Sequence, residues 1–197
     1  MNTSPTEGAG EDARIVMLDL DEARRRAAEV GVSDAAAQLS IFRLLLHQPQ
    51  LAKWVHDLIM GLLWKSSFDP RLRELVIMRL GWATGSVYEW TQHWSIAVDW
   101  LGVDPDDLLA VRNWSASTRF GPAERAVLAA VDEVVADGFV SSGTWAACRA
   151  HVTADPVELI EMVSSIGTWR MVSSLLRSLD VPLEPGRDPW PPDGNAP

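Results

Sequence analysis

Apolar residues recur along this chain at intervals of three and four, with charged and small polar residues between them, and that period predicts helices throughout. Asp19 and Gly31 bracket a short helix, LDEARRRAAEV, and Ser33-Asp34 open a second segment carrying Leu39, Phe42, Arg43, Leu46 and His47 up to the Gln48-Pro49 break. Pro49 starts a long amphipathic helix to about Trp64, with Leu51, Trp54, Val55, Leu58, Ile59 and Leu62 at helical spacing. A helix pair follows. The first member runs from about Pro70 to Ala83, Thr84-Gly85-Ser86 interrupt, and the second continues to Gly102. Asp104-Pro105 opens a short helix through Val111, RNWSASTRF reads as a loop, and Gly121-Pro122 begins AERAVLAAVDEVVAD, which Gly138 closes. Ser141 caps the segment holding Trp145 and Cys148, and Asp155-Pro156 begins VELIEMVSSIGTWRMVSSLLRSL.

Asp-Pro at Asp69-Pro70, Asp104-Pro105 and Asp155-Pro156 supplies an N-cap acceptor followed by a residue whose fixed φ suits the first helical position. No window alternates over strand length between turn residues, so the expected fold is an all-α bundle of about eight or nine helices. One domain is expected over residues 14–184. Residues 1–13, rich in Gly, Ser, Thr and Glu, and the proline-rich 185–197 are expected to be flexible or extended tails.

Composition narrows the function classes. The net charge of −10, from 17 basic and 27 acidic residues, argues against a nucleic-acid partner, which would need clustered cations for phosphates. The one basic cluster, Arg24-Arg25-Arg26, has Asp21, Glu22 and Glu29 around it and reads as a solvated face with local pairs. Apolar runs are interrupted by charges too often for a membrane span, and the polar acidic start is unlike a secretory signal, so a cytoplasmic protein is expected. Cys148 is the single cysteine, which excludes an internal disulfide or thiol pair. Ten tryptophans against one tyrosine point to a core filled by large aromatic knobs.

Candidate chemistry collects on the central pair. Ser86, Glu89 and His93 stand at i, i+3 and i+7, on one helical face beside an apolar stripe of Val87, Trp90, Trp94, Val98 and Leu101. Glu74, on the preceding helix, serves either as a salt-bridge partner of Arg71, Arg73 or Arg43, or as a carboxylate for proton transfer. His93 is either a structural histidine bonded to a backbone carbonyl or an acid/base group, and Glu89 either orients it or acts as a second carboxylate. Ser86 also fits the N-cap of its helix. Arg43 and His47 share a face, and the Arg43 fork suits a substrate carboxylate. Tyr88 offers a hydroxyl for a carboxylate or a subunit contact. Trp54, Trp82 and Trp94 are candidates for a pocket wall. Zinc-type spacing of His or Cys, a phosphate-cradling Gly loop and a dinucleotide fingerprint are all missing from the sequence, so neither metal nor cofactor is expected.

The stretch ELVIMRLGWATGSVYEWTQHWSIAVDWLGV resembles the carboxymuconolactone decarboxylase and alkylhydroperoxidase-like superfamily, whose redox members carry a Glu ahead of a C-x-x-C-x-x-x-H helix. Glu74 matches the Glu and His93 the His, while Ser86 and Glu89 stand in the two cysteine places. YEW-x-QH at Tyr88–His93 is similar to the decarboxylase-type branch, and SIFRLLLHQP with the AVDE, TWAA and IGTWRM series extends the resemblance over roughly residues 14–184. It implies catalytic roles for Glu74, Glu89 and His93, substrate-binding roles for Arg43, Tyr88, Ser86 and Trp82, and a ring-like homo-oligomer, a trimer or a hexamer. The expected activity is cofactor-free acid/base chemistry on a small organic acid or lactone, a decarboxylation or a related lyase or isomerase step. The alternatives are a non-catalytic helical oligomer that binds a ligand and, disfavoured by the missing thiols, peroxidase chemistry.

Overall fold

The computed structural model describes residues 13–197, and the expected N-terminal tail lies almost wholly outside them. Among the described residues there are ten α-helices and no strand. Among the described residues, no helix is long and apolar enough to cross a membrane. The residues group into two compact units. The first runs to Asp57 and includes Arg177–Arg187; the second comprises Leu58–Leu176 and Asp188–Pro197.

The first unit holds α1 (Leu20–Val30), α2 (Asp34–Ala37), α3 (Ser40–Leu45) and the opening of α4 (Pro49–Trp64). Asp19 caps α1 through the Glu22 amide at 2.8 Å, and Gly31 closes it at φ +75°, a left-handed position that glycine takes without Cβ strain. The single helix expected from Ser33 to His47 is broken at Leu39, whose backbone is extended. Glu184 explains the break, since its carboxylate accepts from the freed Ser40 amide at 2.8 Å and satisfies the start of α3. Arg43 and His47 do share a face, and they spend it on backbone: Arg43 Nε donates to Leu18 O at 2.8 Å and His47 Nε2 lies 2.9 Å from Val16 O.

The second unit is built around α5 (Pro70–Thr84). Leu72 to Met78, Leu80 and Gly81 are all buried, so this helix is enclosed on every side and has almost no amphipathic stripe. It packs against α6 (Val87–Ser95) and α8 (Pro122–Asp137), and α8 packs against α9 (Ser142–His151). α7 (Pro105–Ala110) and α10 (Pro156–Ser178) complete the set, and each Asp-Pro pair opens a helix as read. The helix expected to reach Gly102 instead widens into a π turn over Ile96–Trp100, which leaves Trp100 70 % exposed with its ring 5.6 Å from that of Trp64. At the other end of the chain, Trp190 stands 5.7 Å from the Trp82 ring, the Pro191 carbonyl accepts from Trp90 Nε1 at 3.0 Å, and Asp193 pairs with Arg112 at 3.0 Å.

The α5–α6 junction positions the site. Gly85, at φ +68°, ends α5; its amide bonds Trp82 O at 3.0 Å and the Ser86 amide bonds Gly81 O at 2.8 Å, the paired closure of a Schellman turn. Gly81 lets the helices touch, because a Cβ there would lie 3.3 Å from the Trp90 amide nitrogen. Gly81→Val should therefore force α6 away from α5 and lower stability by about 1–3 kcal/mol. Denaturant unfolding at unchanged m-value would measure it, and an unaltered midpoint would show that the approach is not tight.

Candidate active site

Glu74 projects from the enclosed middle of α5 and is fully buried. Its Oε2 accepts from His93 Nδ1 of α6 at 2.8 Å, and Arg73 Nε lies 3.4 Å from Oε1. Arg73 is also buried and reaches Leu62 O, in the last turn of α4, at 3.4 Å. Of the salt-bridge partners expected for Glu74 it is Arg73 that faces it: one oxygen serves that guanidinium and the other the imidazole. The second imidazole nitrogen, Nε2, faces Nε1 of Trp169 on α10 at 2.9 Å, with the two rings edge-on at 79°.

Glu89 lies one turn before His93 and is 2 % exposed. It has no cation beside it among the described residues; the hydroxyl of Ser173, on α10, donates to its Oε2, and Oε1 is buried without a hydrogen bond. Burial raises its pKa well above the ordinary carboxylate value, opposed only in part by the hydroxyls of Ser173 and Ser86. A carboxyl with no compensating charge lowers the cost of burial by holding its proton, so burial favours the neutral form of Glu89, whereas Glu74 has Arg73 and His93 beside it. Two carboxyls on neighbouring helices thus sit in opposed environments.

Ser86 occupies the N-cap position of α6 but makes no side-chain cap bond. Its ψ of 89° falls short of the fully extended N-cap backbone, as at Ser33 with ψ 150°, and its buried hydroxyl stays close enough to Glu89 to favour that group's ionised form without making a full hydrogen bond. Tyr88 is buried in the first turn of α6. Trp82 stands in a tryptophan cluster with Trp90 at 5.5 Å and Trp190 at 5.7 Å, with the Arg112 guanidinium 5.3 Å above its ring. Arg43 belongs to the first unit, where the Leu18 carbonyl takes its Nε. His56 is buried against Phe42 and near Ser33. Cys148 is buried in α9 and its thiol pKa is pushed up to about 11, first by burial and then by Glu133, so it is a poor nucleophile.

Sequence reasoning missed the α10 contribution. Leu159, Met162, Ile166, Trp169 and Leu176 form the buried stripe of that helix, and Ser165 and Ser173 are buried alongside. Hydroxyls on an apolar stripe were the available signal, since a buried polar group needs a partner.

The enclosed central helix that carries Glu74, paired across a Schellman turn with the helix of Glu89 and His93, belongs to an all-helical, alkylhydroperoxidase-like fold. The model of the carboxymuconolactone decarboxylase family matches residues 49–133, a little under half of the chain. The alkylhydroperoxidase AhpD core protein of Ralstonia eutropha JMP134, an uncharacterised peroxidase-related protein, superposes with a TM-score of 0.72 at 18 % identity over 90 % of this chain and 95 % of its own. A peroxidase-related protein of Silicibacter sp. TM1040 gives 0.69 at 12 % identity over 92 % and 97 %. The debrominase Bmp8, in complex with 2,3,4-tribromopyrrole, gives 0.64 at 17 % identity over 84 % of each chain. At such identities the likeness is one of fold. No curated protein matches the chain.

Proposed function

We propose that the protein is an acid/base enzyme that needs no organic cofactor and acts on a small organic acid or lactone, by decarboxylation or a related lyase or isomerase step. The reading rests on one observation: a buried Glu74–His93 pair lies one turn from a buried carboxyl, Glu89, that has only hydroxyl partners. A carboxyl whose pKa is raised by burial, one turn from a histidine held by a second carboxyl, suits acid/base chemistry near neutral pH. In the decarboxylation of a β-keto or vinylogous acid, the bond from carbon to the carboxyl group breaks and CO₂ leaves. The electron pair moves into the conjugated carbonyl, and the resulting enolate takes a proton at carbon. Glu89 is the donor of that proton. Left as an uncompensated buried carboxylate, it is then driven to recover a proton from solvent. His93, held by Glu74, accepts a proton from a substrate that must first be deprotonated.

Peroxidase chemistry would need a thiolate and a resolving thiol, and Ser86, Glu89 and the inert Cys148 supply neither. The tribromopyrrole of the debrominase relative is a small planar ring, the size class proposed here. CO₂ release from a panel of β-keto acids and unsaturated lactone acids, by wild type and by His93 variants, tests the proposal. No turnover on any member would count against it.

We also propose a homo-oligomer. Trp90 is consumed in the core, but Trp54, Trp100, Phe139 and Ile160 are each more than 60 % exposed, apolar surface that contacts between copies would cover. Light scattering should return a multiple of 21.7 kDa, three- or sixfold on the ring expectation; a single-chain mass at micromolar concentration would refute it.

A further inference from the structure

An indole has one N–H and no lone pair able to accept, so the 2.9 Å contact between Trp169 and His93 has only one direction: Nε2 accepts. The ring proton must then be on Nδ1, which faces Glu74 Oε2 at 2.8 Å. The imidazole is held as the neutral Nδ1–H tautomer, with both nitrogens in use. A second proton, on Nε2, would meet the indole N–H donor against donor. The one lone pair through which His93 can take a proton is therefore the one that Trp169 fills.

We propose that Trp169 is the specificity-determining gate of this site, so that a ligand engages His93 only by replacing the indole N–H with a proton-bearing group of its own. The proposal rests on the acid/base reading and narrows its substrate class. A carboxylate or an ether oxygen cannot take the indole's place, because each would set a lone pair against a lone pair. A neutral carboxylic acid, a phenol, an enol or another acidic X–H can. The group that satisfies the contact is then the group whose proton is to be removed. Trp169 has no direct part in proton transfer; it is a positioning residue that admits donors and excludes acceptors. Elsewhere on the helix that carries it, Val163 and Gly167 border an open apolar depression of about 330 Å³, and a Cβ at Gly167 would meet nothing within 4 Å.

Long-range ¹H–¹⁵N NMR of the full chain labelled at histidine, with phenol and its methyl ether anisole as probes, tests this directly. In the wild type, His93 should show a protonated Nδ1 and a bare Nε2. Phenol should displace the indole and shift both the His93 Nε2 and the Trp169 N–H resonances, whereas anisole, of nearly the same shape but without the donor, should shift neither. In Trp169→Phe the internal competitor is gone, and phenol should bind about three- to tenfold more tightly, the worth of one hydrogen bond, while anisole gains nothing. A protonated Nε2 in the wild type overturns the proposal. So does phenol that moves neither resonance at saturation, anisole that acts like phenol, or a Trp169→Phe protein whose Nε2 resonance and phenol affinity are those of the wild type. Should that variant fail to fold, the wild-type tautomer and the phenol–anisole comparison decide alone. None of these readouts involves turnover, so a His93 that proves unnecessary for catalysis would end the acid/base reading without touching this result.

Discussion

His93→Gln should lower kcat by roughly 10²–10⁴, the span that general acid/base catalysis supplies, while leaving the fold in place. Glutamine is the informative replacement because its amide can do what the imidazole does structurally. Its carbonyl can accept from Trp169 Nε1 and its NH₂ can donate to Glu74 Oε2, the two bonds His93 makes. It cannot carry a proton between substrate and solvent. His93→Ala removes proton transfer and also strands a buried indole N–H and a buried carboxylate oxygen, so activity and stability fall together and the two effects are hard to separate. The measurement is kcat per folded site beside the melting temperature. A His93→Gln enzyme that folds and turns over at the wild-type rate would show that the histidine is structural.

Glu74→Gln is a harsher change than its small size implies. The substitution takes away the anion that faces His93, and it also leaves Arg73, 2 % exposed, beside a neutral amide. Breaking a buried ion pair from one side costs about 3–5 kcal/mol, because the remaining charge has no water to turn to. Loss of activity in this variant therefore says little unless stability is measured with it. Pairing it with Arg73→Met, which removes the orphaned charge, should recover a large part of the stability and none of the rate.

The helical architecture was legible because its punctuation is local. Asp-Pro starts and glycine stops depend on the residues themselves, so α1, α4, α5, α7, α8 and α10 begin where the sequence says. The departures arise where a distant residue intervenes. Glu184, far along the chain, supplies the cap that splits α3 from α2, and no local pattern announces it. The π turn over Ile96–Trp100 adds a residue to a helical turn that a fixed period cannot register. The same division runs through the site. Glu74, Glu89 and His93 were visible from spacing and resemblance, but spacing could not say that Glu74 rather than Glu89 holds the imidazole. That choice depends on how closely α5 approaches α6, which Gly81 permits. Trp169 and Ser173 reach the site from α10, 76 and 84 residues beyond His93 and Glu89 respectively, and only the folded chain brings them there.

Glu89→Gln should change how stability depends on pH as well as abolishing proton donation. In the folded state burial raises the pKa of the wild-type carboxyl above its unfolded value. Its contribution to stability is fully present below the unfolded pKa, near 4.3 for a free glutamate, and is lost as pH rises toward the folded value, because only the unfolded chain can release the proton cheaply. Through that window the wild type should lose up to about 1.4 kcal/mol per pH unit from this group alone. Glutamine has the shape of the neutral acid and no proton to lose, so the variant should escape that slope. Near pH 5 the two proteins should melt close together, and toward pH 8 the variant should melt progressively higher, by about 2–4 °C for each kcal/mol in a chain of this size. Turnover should move the opposite way, down by roughly 10²–10⁴ at every pH, since an amide offers a hydrogen bond but no proton. Melting curves for both proteins across pH 5–8, with the activity of each, test the assignment. Parallel curves would mean that Glu89 is ionised in the folded protein, and the proton donor of this site would have to be sought elsewhere.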